Sequence, residues 1–182
     1  MRMDPVQRVS SREVYRNAWM TVREDAVRRL DGSEGIYAVV DKPTCAVVIP
    51  FDGARFHLVE QFRYPVGMRR WEFPMGTAPE LADVPPLELA ARELREETGL
   101  IAGSMADLGK TDVAPGFSSQ RGHVFLATDL TQGEAQREVE EQDMRTAWFE
   151  RGELEKMIAS GDITDAQTLA AYTLLLMRER VL

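Results

Sequence analysis

Three glutamates, Glu93, Glu96 and Glu97, and a later acidic run, Glu134, Glu138, Glu140, Glu141 and Asp143, are the residues of this chain best suited to chemistry. At 100° per residue the first three share one side of a helix expected over residues 86–98, while Leu87, Ala90, Ala91, Leu94 and Thr98 share the side expected to pack on a sheet. Like charges at i, i+3 and i+4 cost about 0.2–0.5 kcal/mol per pair in an isolated helix. These also lie in the last turns, where the helix dipole disfavours anions. A hard divalent cation reverses that balance, because Mg²⁺ and Mn²⁺ prefer carboxylate oxygen. The plainer alternative is a solvated acidic face relieved by Arg92 and Arg95. The later run is either a solvated loop or a source of a carboxylate held for proton transfer, and its own residues do not decide between the two.

The elements that must position these groups can be read from pattern. Residues 1–12 read as a loose polar arm, followed by short strands between Val14 and Val40, with a tight turn at Asp31-Gly32-Ser33. Strands over 46–51 and 56–62 flank Asp52-Gly53, a strong hairpin signal. Pro74, Gly76, Pro79, Pro85 and Pro86 mark a loop before the acidic helix, which has Asp83 as its expected N-cap and Gly99 just past its end. Strands follow at 123–128 and 146–149, then a helix over 151–159 stopped by Gly161. A last helix begins at Thr164, where Thr164-Asp165-Ala166-Gln167 has capping-box form. This order predicts an α/β (α+β) fold, a mixed β-sheet sandwiched between helices. Residues 1–42 form a small N-terminal β-strand extension to a main domain over 43–182.

The bulk numbers exclude several classes. With 182 residues the chain is long enough for one domain with a real core. A net charge of −8 argues against nucleic acid as a partner and allows an anionic substrate only where cations screen the carboxylates. No stretch has the length of a membrane span, and the N-terminus lacks the apolar core of a leader. Cys45 is alone in an apolar run, which fits a buried thiol in the reducing cytoplasm. His57 and His123 lack ligand spacing and read as structural.

The run Arg92-Glu93-Leu94-Arg95-Glu96-Glu97-Thr98-Gly99-Leu100 resembles the second half of the Nudix box, matching seven specified positions in nine. The first half departs from that pattern. The usual glycine and glutamate positions hold Ala78 and Val84, and Gly76, sixteen before Arg92, implies a two-residue insertion; Glu80 or Asp83 takes the glutamate's place. Upstream, Gln61-Phe62-Arg63 and Glu72-Phe73-Pro74-Met75-Gly76 are similar to the approach to the box in the ADP-ribose pyrophosphatase branch. The resemblance covers about residues 14–175.

The resemblance implies Mg²⁺, with Mn²⁺ as a substitute, held by Glu93, Glu96, Glu97 and the backbone carbonyl of Met75. It implies Arg63 as a grip on a phosphate or on the substrate's terminal ribose, and Glu72 as acceptor from a substrate hydroxyl or partner of Arg63. Relatives activate water with a glutamate outside the box. The 115–120 loop offers only Gln120, which makes it substrate-facing, so Glu140 or Glu141 becomes the expected base beside Glu96 in the catalytic group. Trp19, Trp71 and Phe117 are candidate surfaces for a nucleobase, each weighed against a core role, with Trp19 acting across a homodimer. The function implied is cleavage of the diphosphate of a nucleotide sugar, ADP-ribose first. Another nucleotide sugar such as GDP-mannose is the rival substrate, and a non-catalytic ADP-ribose sensor is the rival class.

Overall fold

The computed structural model describes residues 4–77, 84–137 and 141–181. The chain divides into two compact units: one holds the residues up to Thr44 together with 112–121, the other most of the remainder.

The first unit is an antiparallel sheet of β1 (Val6–Arg16), β2 (Thr21–Arg29) and β3 (Glu34–Asp41), in that order. The expected loose arm is therefore a strand from Val6 onward. It escaped pattern reading because β1 is exposed along its whole length and so carries no buried stripe. Backbone pairing with β2 and the ion pair of Arg12 with Glu24 (3.1 Å) hold it instead. The Asn17 side chain closes the β1–β2 turn, its Oδ1 accepting from the N–H groups of Trp19 and Met20, both at 2.9 Å. The 112–121 segment is fastened to β3, since Val40 N–H donates to Phe117 O (2.8 Å) and Ser119 N–H to Val40 O (3.1 Å).

The second unit contains two sheets where one mixed sheet was anticipated, within the expected α+β class. The first is mixed, in the order β7 (Met75–Thr77), β4 (Cys45–Pro50), β9 (Arg121–Gln132), β8 (Leu100–Asp112), with β4 parallel to β9 and antiparallel to β7. The second is antiparallel: β10 (Arg145–Glu150), β5 (Arg55–Arg63), β6 (Met68–Glu72). Asp52-Gly53 does form a tight turn: Asp52 Oδ1 accepts from Ala54 and Arg55 N–H, and Gly53 has φ +100°. A single bridge, Phe51 to Phe56, is all the hairpin that follows, because β4 and β5 then separate into different sheets. Every residue of β4 is apolar and buried, so burial on two faces outweighs the local turn signal. Side chains of both sheets, among them Val47, Ile49, Phe56 and Leu58, meet Tyr172 and Leu175 in one core. β8, which the sequence pattern did not suggest, is exposed or half-exposed at every residue but Leu100 and carries two glycines.

Helix α1 spans Pro86–Thr98, as expected, and ends at Gly99 in the left-handed region (φ +76°). Its N-cap position is Pro85 with no side-chain cap; Asp83 lies outside the described residues. The buried side is Leu89, Ala90, Glu93, Leu94, Glu97 and Thr98, whereas Leu87 and Ala91 face solvent. The helix is thus turned from the expected orientation so that two glutamates point inward. It packs on β4 and β7. Helix α2 (Arg151–Ser160) ends at Gly161 (φ +83°) as anticipated. Helix α3 (Ala166–Val181) starts two residues later than expected: Asp165 is the cap, its Oδ2 accepting from Thr168 N–H at 2.7 Å. Thr168 Oγ1 in turn accepts from Phe73 N–H at 3.0 Å, fixing the run into β7.

Candidate active site

Glu93 and Glu97 interact electrostatically with three further buried or half-buried carboxylates of the second unit, Glu96, Glu72 and Glu141. The first two come from α1. Their four-residue spacing places them one turn apart on its inward side. Glu93 lies directly over β7: a Cβ on Gly76 would run into the Glu93 carboxylate, which would have to shift, so glycine makes room for it in its present place. Met75, beside it, pairs with Val47 across the β7–β4 ladder. Arg92 stands 3.5 Å from Glu93 Oε1 and 3.7 Å from Glu96 Oε2, and so screens the pair.

Burial, and then the charge of Glu96, push Glu93 up to about 7. Glu97 is 1% exposed, and neither of its oxygens has a hydrogen-bond partner among the described residues. Burial first, then the charges of Glu141, Glu93 and Glu72, raise it well above the usual carboxylate range. An isolated buried carboxylate is costly unless it is protonated, paired or bound to a cation. Among the described residues no three Asp, Glu, His or Cys side chains already stand as a closed cage. Even so, an orphaned carboxylate beside a second one of raised pKa is a donor set suited to a hard divalent cation, which would displace the protons.

Glu72 lies at the end of β6, 1% exposed, and Arg63 at the end of β5 pairs with it: Nε is 2.9 Å from Oε1 and donates to Oε2 at 3.2 Å. Of the two expected partners for Glu72, the structure contains Arg63. Burial raises Glu72 while the Arg63 guanidinium opposes it. A groove of about 360 Å³ opens here, lined by Arg63, Arg70, Glu72 and Asp165 among others.

Glu141 opens a short turn closed by Met144 N–H on its carbonyl (2.9 Å), and it is near enough to raise both Glu93 and Glu97. Glu140 lies outside the described residues. Two arginines escaped the sequence reading. Arg137 donates from Nε to Glu97 O (3.1 Å) and from Nη1 to Met144 O (2.6 Å). Arg69 donates to Asp143 Oδ2 (2.6 Å) and Asp143 O (2.9 Å), and to Glu60 Oε2 (2.9 Å). The one available signal was that Arg137 is the sole basic residue between Gly133 and Asp143.

The candidate aromatics divide. Trp71 packs edge-on against Phe149 (4.9 Å) beside the core, which removes it as an open stacking surface. Trp19 (63% exposed) and Phe117 (56%) belong to the first unit and face solvent. Gln120 is buried, its Nε2 donating to Pro43 O at 3.0 Å, which ties its loop to the connection between β3 and β4. His57 is buried against Trp148, with ring centroids 4.6 Å apart, a structural role as expected.

The paired sheets with α1 carrying its inward glutamates define a class. The NUDIX domain family matches residues 41–172, and the chain belongs to it; it is a Nudix hydrolase, of a class that generally uses divalent metal ions. Residues 6–40 match a second family, the nucleoside diphosphate sugar hydrolase N-terminal domain. The chain is 35% identical over 164 residues to a Mycobacterium tuberculosis protein named ADP-ribose pyrophosphatase, covering 89% of this chain and 79% of that one. A Bacillus subtilis protein of the same name is 27% identical over 173 residues, 94% of this chain and 92% of its own. A crystal structure of an "ADP compounds hydrolase" superposes with a TM-score of 0.83 at 20% identity, over 100% of this chain and 96% of that one, and shares the fold.

Proposed function

We propose that this protein is a Mg²⁺-dependent pyrophosphohydrolase that cleaves the diphosphate of ADP-ribose to AMP and ribose 5-phosphate. The observation that carries the reading is Glu97, buried with both oxygens unpartnered among the described residues, one turn from Glu93, which lies over Gly76. As a purely structural group it would be a liability; as a metal ligand it is complete. The names of the two relatives and the nucleoside diphosphate sugar hydrolase match support the substrate.

In this reading Glu93, Glu96, Glu97 and the Met75 carbonyl hold the metal, with Mn²⁺ able to substitute for Mg²⁺. A metal held there would supply neutralisation of the diphosphate charge and a lowered pKa for the attacking water. Arg92 keeps Glu93 and Glu96 oriented through its paired contacts. Glu141, or Glu140, accepts the proton of the water whose oxygen adds to one phosphorus while the bridging P–O bond breaks. Such a base typically contributes about 10²–10⁴-fold. Arg63, held by Glu72, meets the phosphate or the terminal ribose, and the groove past Arg70 and Asp165 has room for the sugar.

The exposed β1 edge and the apolar Ile36 and Tyr37 (71% and 45% exposed) suit a homodimer formed through residues 1–42, with Trp19 serving the partner's site. A lone buried cysteine suits the cytoplasm, and no helix among the described residues is long and apolar enough to cross a membrane.

The test is product formation by the purified protein with Mg²⁺ on ADP-ribose, GDP-mannose, UDP-glucose, NADH and diadenosine polyphosphates, with Glu97→Gln as the blank. Preference for ADP-ribose that vanishes in the blank supports the reading. Preference for GDP-mannose moves the specificity. No turnover, with ADP-ribose still raising the melting temperature, replaces the enzyme by a sensor.

A further inference from the structure

We propose that Arg137 is a positioning residue that sets the water-activating glutamate against the metal-binding helix. This rests on the reading that Glu140 or Glu141 is the base.

A helix leaves its last four carbonyls without partners inside the helix. At the end of α1, Arg95 O accepts from Gly99 N–H (2.9 Å), and the other three are met by one short segment of chain. Glu96 O accepts from Gln136 N–H (3.0 Å), Glu97 O from Arg137 Nε (3.1 Å) and Thr98 O from Gln132 Nε2 (3.2 Å); just beyond, Gly99 O accepts from Gly133 N–H (2.8 Å). The segment leading to the acidic run is therefore stitched to the helix that carries the inward glutamates. A guanidinium here also complements the negative end of the helix dipole.

Arg137 does more than cap. Its Nη1 reaches Met144 O at 2.6 Å, so a single planar group, carried on the residue before the acidic run, joins the backbone beyond that run to the carbonyl of Glu97 itself. The exit of the run is held separately, by Arg69 on the side chain and carbonyl of Asp143. Glu141 lies between those anchors. Its distance from Glu97 is thus governed by a rigid fork acting on backbone atoms. Lysine cannot reproduce it, having one nitrogen on a flexible stem where arginine offers several donors in a fixed plane. A base displaced by about 1 Å loses about 10²-fold in rate.

The experiment compares wild type with Arg137→Lys, Arg137→Gln, Glu141→Gln, Glu140→Gln, and Arg137→Gln combined with each glutamate variant, on ADP-ribose with Mg²⁺. Folding is followed by thermal melting. The expected result is a fall in kcat of about 10²-fold for both Arg137 variants, with KM and the Mg²⁺ half-saturation changed by less than about threefold. Lysine gives no rescue, although it retains the charge. In the double variant containing the true base, the Arg137 substitution adds no further loss, because its only route to the rate has gone. Losses that multiply in both doubles, or an effect on KM or Mg²⁺ alone, overturn the role of Arg137 while leaving the base reading intact. Wild-type rates for Glu140→Gln and Glu141→Gln overturn the base reading, and with it the role, whatever Arg137→Gln does. An Arg137→Lys enzyme with wild-type kcat overturns the proposal outright.

Discussion

Glu97 carries opposite demands on stability and function. Its oxygens are buried and unpartnered among the described residues, and burial with neighbouring acids keeps its pKa high, so the metal-free protein must either hold a proton there or bear an uncompensated charge. Glu97→Gln removes the charge and nearly keeps the shape. We expect turnover to fall by about 10³-fold or more, the scale of several kcal/mol of lost charge stabilisation. Melted in EDTA at pH 8, the variant should be at least as stable as wild type, by up to about 1–3 kcal/mol, the usual cost of an unsatisfied buried polar group. A variant that is inactive and also less stable in EDTA would point to a structural glutamate. Gly76 is the complementary case. Alanine there places a methyl on Glu93 Oε2, so Gly76→Ala should weaken Mg²⁺ activation and lower kcat by about 10²-fold or more, given the sensitivity of such sites to small displacements. Full activity in a Mg²⁺ titration of that variant would remove Glu93 from the metal site.

At the scale of elements, the β5–β10 pairing makes a pH prediction. His57 faces Trp148 across the ladder, and burial lowers its pKa from 6.5 to about 4. A histidine with a depressed folded pKa is protonated in the unfolded chain first, so its share of stability is present above pH 6.5 and is lost as the pH falls towards 4. By pH 5 the loss is about 2 kcal/mol, at about 1.4 kcal/mol per pH unit below 6.5. His57→Phe keeps a ring for Trp148 and should flatten the fall in melting temperature between pH 7 and 5; an unchanged slope assigns the fall to other groups. The same scale shows what pattern could reveal. Helix α1 was legible end to end because its apolar residues recur at helical spacing and Gly99 marks its stop. β1 was not, since it buries nothing, and β8 was not, since its residues are mostly exposed and half-exposed. Asp52-Gly53 gave the turn correctly, but a turn signal says nothing about which sheet each flanking strand enters.

For the whole molecule, the sheet of the first unit leaves β1 exposed at an edge, with Val6, Val9, Val14 and Tyr15 among its exposed side chains. An exposed edge of this length invites pairing with another chain. We expect sedimentation to give twice the 20.5 kDa chain mass, and Trp19→Ala to raise KM for ADP-ribose several-fold with little change in kcat. A fully active species of single-chain mass at all concentrations would exclude the dimer and any role for Trp19 in a partner's site.

The sequence by itself determined the family, the α+β class and the identity of the acidic residues on α1, because those depend on residue order and local periodicity. Only the tertiary structure decided that Glu93 and Glu97 point inward, that Gly76 makes room for one of them, and that Arg63 pairs with Glu72. Only it joined Arg137 to Glu97 and Met144. Each of these depends on how far a helix turns about its axis or on contacts between residues remote in the chain, and neither quantity leaves a periodic trace in the order of amino acids.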